Sequence, residues 1–306
     1  MSPSGAEWRD RALEPRYLAL RDAAAARLRD GLLEEARDGF AAALDAARAG
    51  AAPALVDRAF CNLAGVEIEL GRAPETVAAQ LRQILVDNRD AEGCRLAAYH
   101  LGRFYDLRKQ IKKALFYARI AQERSRQLGN DAWQASSGNL TALLLLSESR
   151  FDEASRELER ALALLPADDE LTAALIMDNL GYCRFLQGRT AEGFRLCFRS
   201  LRTLRRLGRQ RWAAQLTLAY GYLQVERAGR ALRHGTAALA AAEREGDTTT
   251  VKNALFLLGE AANLAGDADA AYDHFVRLQR EFYPEQAFLP NFLLAVDVTG
   301  LVNLKA

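Results

Sequence analysis

Lysine is scarce in this chain of 306 residues: only Lys109, Lys112, Lys113, Lys252 and Lys305 stand among 41 basic residues, against 40 acidic ones. The formal net charge of +1 excludes a global pull toward nucleic acid or acidic membranes. An arginine- and alanine-rich composition of this kind fits a GC-rich bacterial coding sequence. The four cysteines, Cys61, Cys94, Cys183 and Cys197, form no C-x-x-C pair. Residues 1–14 are polar and carry no apolar leader. Neither a disulfide framework nor a metal site is therefore expected, and the thiols should be reduced and buried. No run of about twenty apolar residues exists to span a bilayer, so the expected location is the cytoplasm, without a membrane partner. β-Branched alternation and hairpin dipeptides are nearly absent, which argues against a sheet protein. Phosphate-loop, zinc-protease and nucleophile-elbow signatures are missing, and the histidines are only His100, His234 and His274. Cys61 and His100 occupy similar places in adjacent repeats. A nucleophilic dyad would also need an oxyanion site and an orienting group, so a buried thiol and a seam histidine are expected instead. The chain reads as non-catalytic, with no cofactor.

What is present is a period. Small residues recur in pairs twelve apart: Ala24/Ala36, Ala64/Thr76, Gly102/Ala114, Ala142/Ala154, Gly181/Gly193, Ala219/Ala231 and Gly259/Ala271. Successive pairs lie 38 to 40 residues apart, the mark of a stacked-repeat architecture. Each unit reads as two helices. In the fifth, Leu175, Ile176, Leu180, Cys183 and Phe185 recur at helical intervals, then Gln187-Gly188-Arg189 breaks the pattern, then Phe194, Leu196, Cys197, Leu201 and Leu204 resume it. Gly31, Gly71, Gly188 and Gly266 mark similar first turns, while the sixth unit lacks a clear glycine there. Two antiparallel helices approach closely only where side chains are small, which explains the pairs. A larger residue four positions later (Phe40, Leu158, Cys197, Phe275) is expected to fill the gap to the next unit.

Asn62-Leu63-Ala64 with Leu70-Gly71-Arg72, Tyr99-His100-Leu101-Gly102 with Ala114, Asn179-Leu180-Gly181 with Gly188-Arg189, and Leu258-Gly259 with Ala271-Tyr272 together resemble the tetratricopeptide repeat family. The period, near 39, is longer than the family's usual 34. The resemblance implies an all-α, right-handed solenoid of seven helical hairpins over residues 15–283. A flexible tail over residues 1–14 would precede it, and an apolar capping helix over residues 284–306 would follow. It also implies a protein–protein interaction scaffold or adaptor. In similar long repeats of bacterial peptide-sensing regulators and animal cell-polarity adaptors, an extended peptide lies in the concave groove, so a peptide-responsive sensor is the alternative.

In this family the first helix of each unit lines the groove. The stripe three before, one after and four after each first small residue gives Tyr99, Arg103 and Asp106; Asn139, Leu143 and Leu146; Asp178, Tyr182 and Phe185; Leu216, Tyr220 and Leu223; and Phe256, Glu260 and Asn263. Large apolar groups with isolated polar ones suit a protein or peptide ligand. Asn139 suits a peptide backbone and Arg103 a carboxylate. The competing reading packs the stripe between repeats and pairs Arg103 with Asp106. A single arginine in the stripe disfavours an acidic chaperone tail as ligand.

Arg195, Arg199, Arg202, Arg206 and Arg209 form a basic stripe on a second helix, read either as a solvated face or as the ridge of a nucleic-acid-associated subunit. Nucleic acid is the less favoured partner. From residue 286 to 304 the only charge is Asp297, and apolar residues cover more than one helical face. That excess over a cap suggests self-association or partner docking.

Overall fold

A computed structural model describes the backbone of residues 5–14 and the backbone and side chains of residues 15–49 and 53–305. Among these residues there are fifteen helices and no strand, an all-α repeat fold of the solenoid class. The chain forms two compact units whose boundary falls after Leu144. The first holds the hairpins α1 (Gly5–Arg29) with α2 (Leu33–Arg48), α3 (Pro53–Glu69) with α4 (Glu75–Asp87), and α5 (Ala91–Leu107) with α6 (Ile111–Gln127), and then most of α7 (Asp131–Ser147). The second holds the last turn of α7, α8 (Phe151–Leu164), the hairpins α9 (Glu170–Leu186) with α10 (Thr190–Arg206), α11 (Trp212–Gln224) with α12 (Ala228–Glu245) and α13 (Thr248–Leu264) with α14 (Ala268–Phe282), and α15 (Leu289–Ala295). Of the segment expected as a tail, residues 1–4 lie outside the described residues, and α1 already begins at Gly5.

Side-chain caps fix where the first helices start. Asp90, Asn130, Asp169 and Asp247 accept from the amides of Gly93, Trp133, Thr172 and Thr250 at the starts of α5, α7, α9 and α13. One turn geometry then joins the helices of each repeat. Its central residue is left-handed: Gly31, Gly71, Lys109, Ser149, Gly188, Glu226 and Gly266. Around Gly188, its amide donates to Phe185 and the Arg189 amide to Arg184, and the turns at Lys109, Ser149 and Glu226 repeat this pair of bonds. The sixth repeat, which lacks a glycine here, thus keeps the turn with Glu226.

Both members of six of the twelve-residue pairs are buried. Thr76 is the exception: it is exposed, and Ala78 is buried in its stead. The cause is local. Residues 70–74 separate α3 from α4, where the other first turns have three residues, so the partner of Ala64 slides two positions along. The close approach is clearest in the fifth repeat. A Cβ on Gly181 would lie 2.3 Å from Cys197 Sγ and 3.2 Å from the Gly193 carbonyl oxygen. In the seventh, a Cβ on Gly259 would lie 2.3 Å from the Phe275 ring. Cys197 and Phe275 therefore close the seam of their own hairpin, not the gap to the next repeat as the sequence suggested. Phe40 does reach onward, packing with Val66 of α3.

Second helices are amphipathic: α10 buries Gly193, Cys197, Ser200 and Leu204 on one face. First helices are covered nearly all round, as α9 is from Ile176 to Phe185. In the first unit, polar ties join neighbouring repeats. Arg58 grips Asp90 with two bonds of 2.6 Å, and against the upward pull of burial this guanidinium holds the carboxyl below its ordinary range.

Two stability changes follow. Gly181→Ala should lose about 1–3 kcal/mol in urea unfolding, because Cys197 must move, and Gly181→Ala combined with Cys197→Ala should lose less than Gly181→Ala alone. Lys109→Gly, at an exposed left-handed position, should gain about 0.5–1 kcal/mol by the same measurement.

Candidate functional site

The segment after α14 does not form the expected long capping helix. Helix α15 begins at Leu289, with Pro290 in its first turn, and ends after seven residues. Val296, Val298, Thr299 and Gly300 are poor helix formers, and Asp297 Oδ1 accepts from the Thr299 amide at 2.9 Å, a bond that competes with helix. Residues 296–305 then run back across the first helices of the second unit. Thr299 Oγ1 donates to Glu260 Oε2 of α13 at 3.2 Å, just beyond Asn263, whose side chain donates to the Leu294 carbonyl. Asn253 Nδ2, also of α13, donates to the Leu304 carbonyl at 2.9 Å. The Leu304 amide donates to the Tyr182 hydroxyl of α9 at 3.1 Å. Asn303 Nδ2 donates to the Leu146 carbonyl at 2.6 Å and Ser147 Oγ to the Lys305 carbonyl at 2.8 Å, both in the last turn of α7. Lys305 Nζ lies 3.5 Å from Asp178 Oδ2. The side chains of Val298 and Leu304 are buried.

The groove residues expected in this unit therefore meet a peptide segment of the same chain. Asp178, Tyr182 and Glu260 hydrogen-bond it directly, and Asn263 bonds Leu294 of α15 just before it. Tyr220 supports it from behind, its ring 5.3 Å from that of Tyr182. Phe256 lines a cavity of about 240 Å³ with Val302 and Asn303. Phe185 does not belong to the groove. Its ring fills the space left by Gly193 and Gly221, where added Cβ atoms would lie 2.7 and 2.3 Å away, and it packs on Phe194. Four positions beyond Gly181, the helix has turned this side chain into the seam. Asn253 and Ser147 carry main-chain hydrogen bonds that the stripe missed. Asn253 lies three residues before Phe256, one helical turn beyond the stripe as drawn, and Ser147 lies one residue after Leu146.

Attachment of this segment is finely balanced. Ordering ten residues costs roughly 10–20 kcal/mol. Burying Val298 and Leu304 returns roughly 3–6 kcal/mol. Eight hydrogen bonds to the groove add roughly 4–12 kcal/mol.

Glu260 is 6% exposed, and its Oε1 has no hydrogen-bond partner. Burial, and secondarily the charge of Asp297, push its pKa up to about 7 despite the Thr299 hydrogen bond. It borders an acidic cavity of about 440 Å³ that includes Glu226, Asn263 and Asp297. Asp178 is also buried, with Oδ1 unpartnered.

In the first unit, Tyr99, Arg103, Asp106, Asn139 and Leu143 are all half-buried. Arg103 pairs with Glu69 of α3 at 2.8 Å and with Asp106 at 3.6 Å, so the competing packing reading accounts for this pair. Tyr99 packs edge-on against His100. Asn139 Oδ1 is buried without a partner. Burial pushes the Cys61 thiol up and the His100 imidazole down to about 3, and His100 sits against Gly65 in the inter-helix seam. A neutral thiol and a neutral imidazole are the reverse of an activated pair.

Of the basic stripe, Arg195, Arg199, Arg202 and Arg206 are exposed on α10, and Arg206 pairs with Glu170 at 2.7 Å. Arg209 lies beyond the helix end and is half-buried, so the stripe stops one residue short of the expected set. Phe288, Phe292 and Val296 leave an exposed apolar strip along α15. No helix among the described residues is long and apolar enough to cross a membrane, and no cluster of potential metal ligands occurs among them.

No family model matches the chain, and no curated protein matches its sequence. Solved structures do resemble it. A Rap protein complexed with Competence and Sporulation Factor matches 88% of this chain and 76% of its own, at 15% identity and a TM-score of 0.66. The pilus biogenesis factor PilW matches 78% and 98%, at 23% identity and 0.58. A tetratricopeptide repeat protein from Parabacteroides merdae matches 94% and 99%, at 16% identity and 0.51. The chain has the tetratricopeptide-repeat fold.

Protonation of Glu260 should be visible in stability. Its folded pKa is raised, so from about pH 4.5 to 7 the folded chain keeps a proton that the unfolded chain releases, and stability falls as pH rises. Urea unfolding at pH 5 and pH 8 should show a loss on the order of 2–3 kcal/mol from this group, absent in Glu260→Gln.

Proposed function

We propose that the chain is a non-catalytic interaction scaffold that holds a segment of a partner protein on the first-helix face of its second unit. One observation carries this reading: Tyr182, Asn253 and Ser147 each hydrogen-bond the main chain of residues 304–305, which follow a turn at residues 299–301, while Leu304 is buried. Main-chain bonds from fixed side chains, with a side chain seated between them, are how a groove binds peptide. Support also comes from the Rap protein, whose structure has a similar fold and contains a bound factor. The four unpaired buried thiols accord with a reducing, cytoplasmic setting. The exposed apolar strip of α15 offers a second contact, for self-association. The arginine stripe of α10 carries no comparable constellation.

A displayed library of random decapeptides, selected on the intact chain and on Leu304→Asp, in which the buried contact is loosened, tests this reading. Peptides enriched on either should lose roughly ten-fold in affinity when Tyr182→Phe and Asn253→Ala are combined, since each main-chain bond is worth about 0.5–1.5 kcal/mol. No enrichment on either protein, or peptides indifferent to both substitutions, would overturn it.

A further inference from the structure

Residues 302–305 show what the groove reads. The Leu304 amide and the carbonyls of Leu304 and Lys305 bond Tyr182, Asn253 and Ser147, contacts that any sequence would make, whereas the Lys305 amide donates to Asn303 Oδ1 of the segment itself at 2.9 Å. Three side chains are read individually. Asn303 bridges the Leu146 carbonyl and the Ser149 hydroxyl at 2.6 and 3.2 Å. Leu304 is buried, 4% exposed. Lys305 brings its ammonium to 3.5 Å from Asp178, a carboxylate that is itself 4% exposed and whose other oxygen has no partner. Asp178 thus awaits more donors than Lys305 supplies, and an arginine or a better-placed lysine would satisfy both oxygens. Two residues upstream of Asn303, Leu301 stands 84% exposed, so the segment leaves part of its own apolar surface in water while holding the groove.

Resting on the groove reading above, we infer that the partner segment is a peptide carrying an amide, an aliphatic and a basic side chain in succession, and that residues 296–305 are an internal competitor for the same place. The internal segment is an imperfect ligand: its attachment is balanced, its cation meets one oxygen of two, and Leu301 is unburied. A partner peptide that places its basic group better displaces it, and the groove is then filled from outside.

A labelled decapeptide with the sequence of residues 296–305, blocked at both ends, tests this by fluorescence anisotropy on the full chain. Leu304→Asp should bind it at least ten-fold tighter than the unaltered chain, with faster amide hydrogen exchange over residues 296–305. Adding Asp178→Asn should remove most of that gain, and replacing the peptide's lysine by glutamate should weaken binding at least ten-fold. If circular dichroism shows Leu304→Asp misfolded, Lys305→Glu loosens the same segment by opposing Asp178 and leaves the buried contact intact. Equal affinity in the loosened variant and the unaltered chain overturns the competitor role. Binding indifferent to Asp178→Asn overturns the reading of the basic side chain. Should the decapeptide fail to bind while library peptides bind in a groove-dependent way, this inference falls and the groove reading stands. Concentration-dependent dimers of the unaltered chain, dispersed by the decapeptide, would instead assign the groove to the segment of a second copy.

Discussion

Close contact between two helices at residues with little or no side chain is the constraint on which each repeat depends. At Gly181 there is no room for a methyl group beside Cys197, and at Gly259 none beside Phe275. Such an approach requires a turn of fixed reach, which the three-residue connection with its left-handed centre provides. The second repeat shows how strict the coupling is. Its turn is two residues longer, and the buried partner moves by two, from Thr76 to Ala78. Helix spacing is preserved at the expense of sequence spacing. The left-handed centre tolerates lysine, serine and glutamate as readily as the geometry demands, although each carries a steric cost that glycine avoids.

This constraint is also why so much of the fold was legible. Small residues in phase and glycines after apolar stripes are local signals, each tied to one backbone position. Where the signal was indirect, the reading slipped. Phe275 was assigned to the gap between repeats and lies over Gly259 of its own hairpin; spacing along one helix cannot tell which of two neighbouring helices a side chain meets. The terminal segment misled for a related reason. Its apolar residues surround a helical projection on all sides, a pattern that no half-exposed cap would show, yet length and hydrophobicity alone suggested helix.

The groove was half legible for a different cause. First helices such as α9 and α13 are buried nearly all round. A stripe facing the groove and a stripe facing a neighbouring helix then have the same composition, so Tyr182 and Phe185 look alike in sequence although one meets residues 303–304 and the other a pair of glycines. Polar residues were the better guide. Asp178, Asn253 and Glu260 are costly to bury and stand where a segment of chain runs past them. In the first unit the same logic reads differently, because Glu69 answers Arg103 from the adjoining repeat.

The path of residues 296–305 also bears on how the second unit comes apart. In a repeat array each element leans on its immediate neighbours, so unravelling can start at an end and proceed stepwise. Here Asn303 bonds Leu146 and Lys305 bonds Ser147, contacts that join chain positions more than 150 residues apart. The last hairpin of this unit cannot peel away without also breaking contacts to the last turn of α7. An otherwise nearest-neighbour structure thereby acquires all-or-none character and a high-contact-order step late in its assembly, which slows closure.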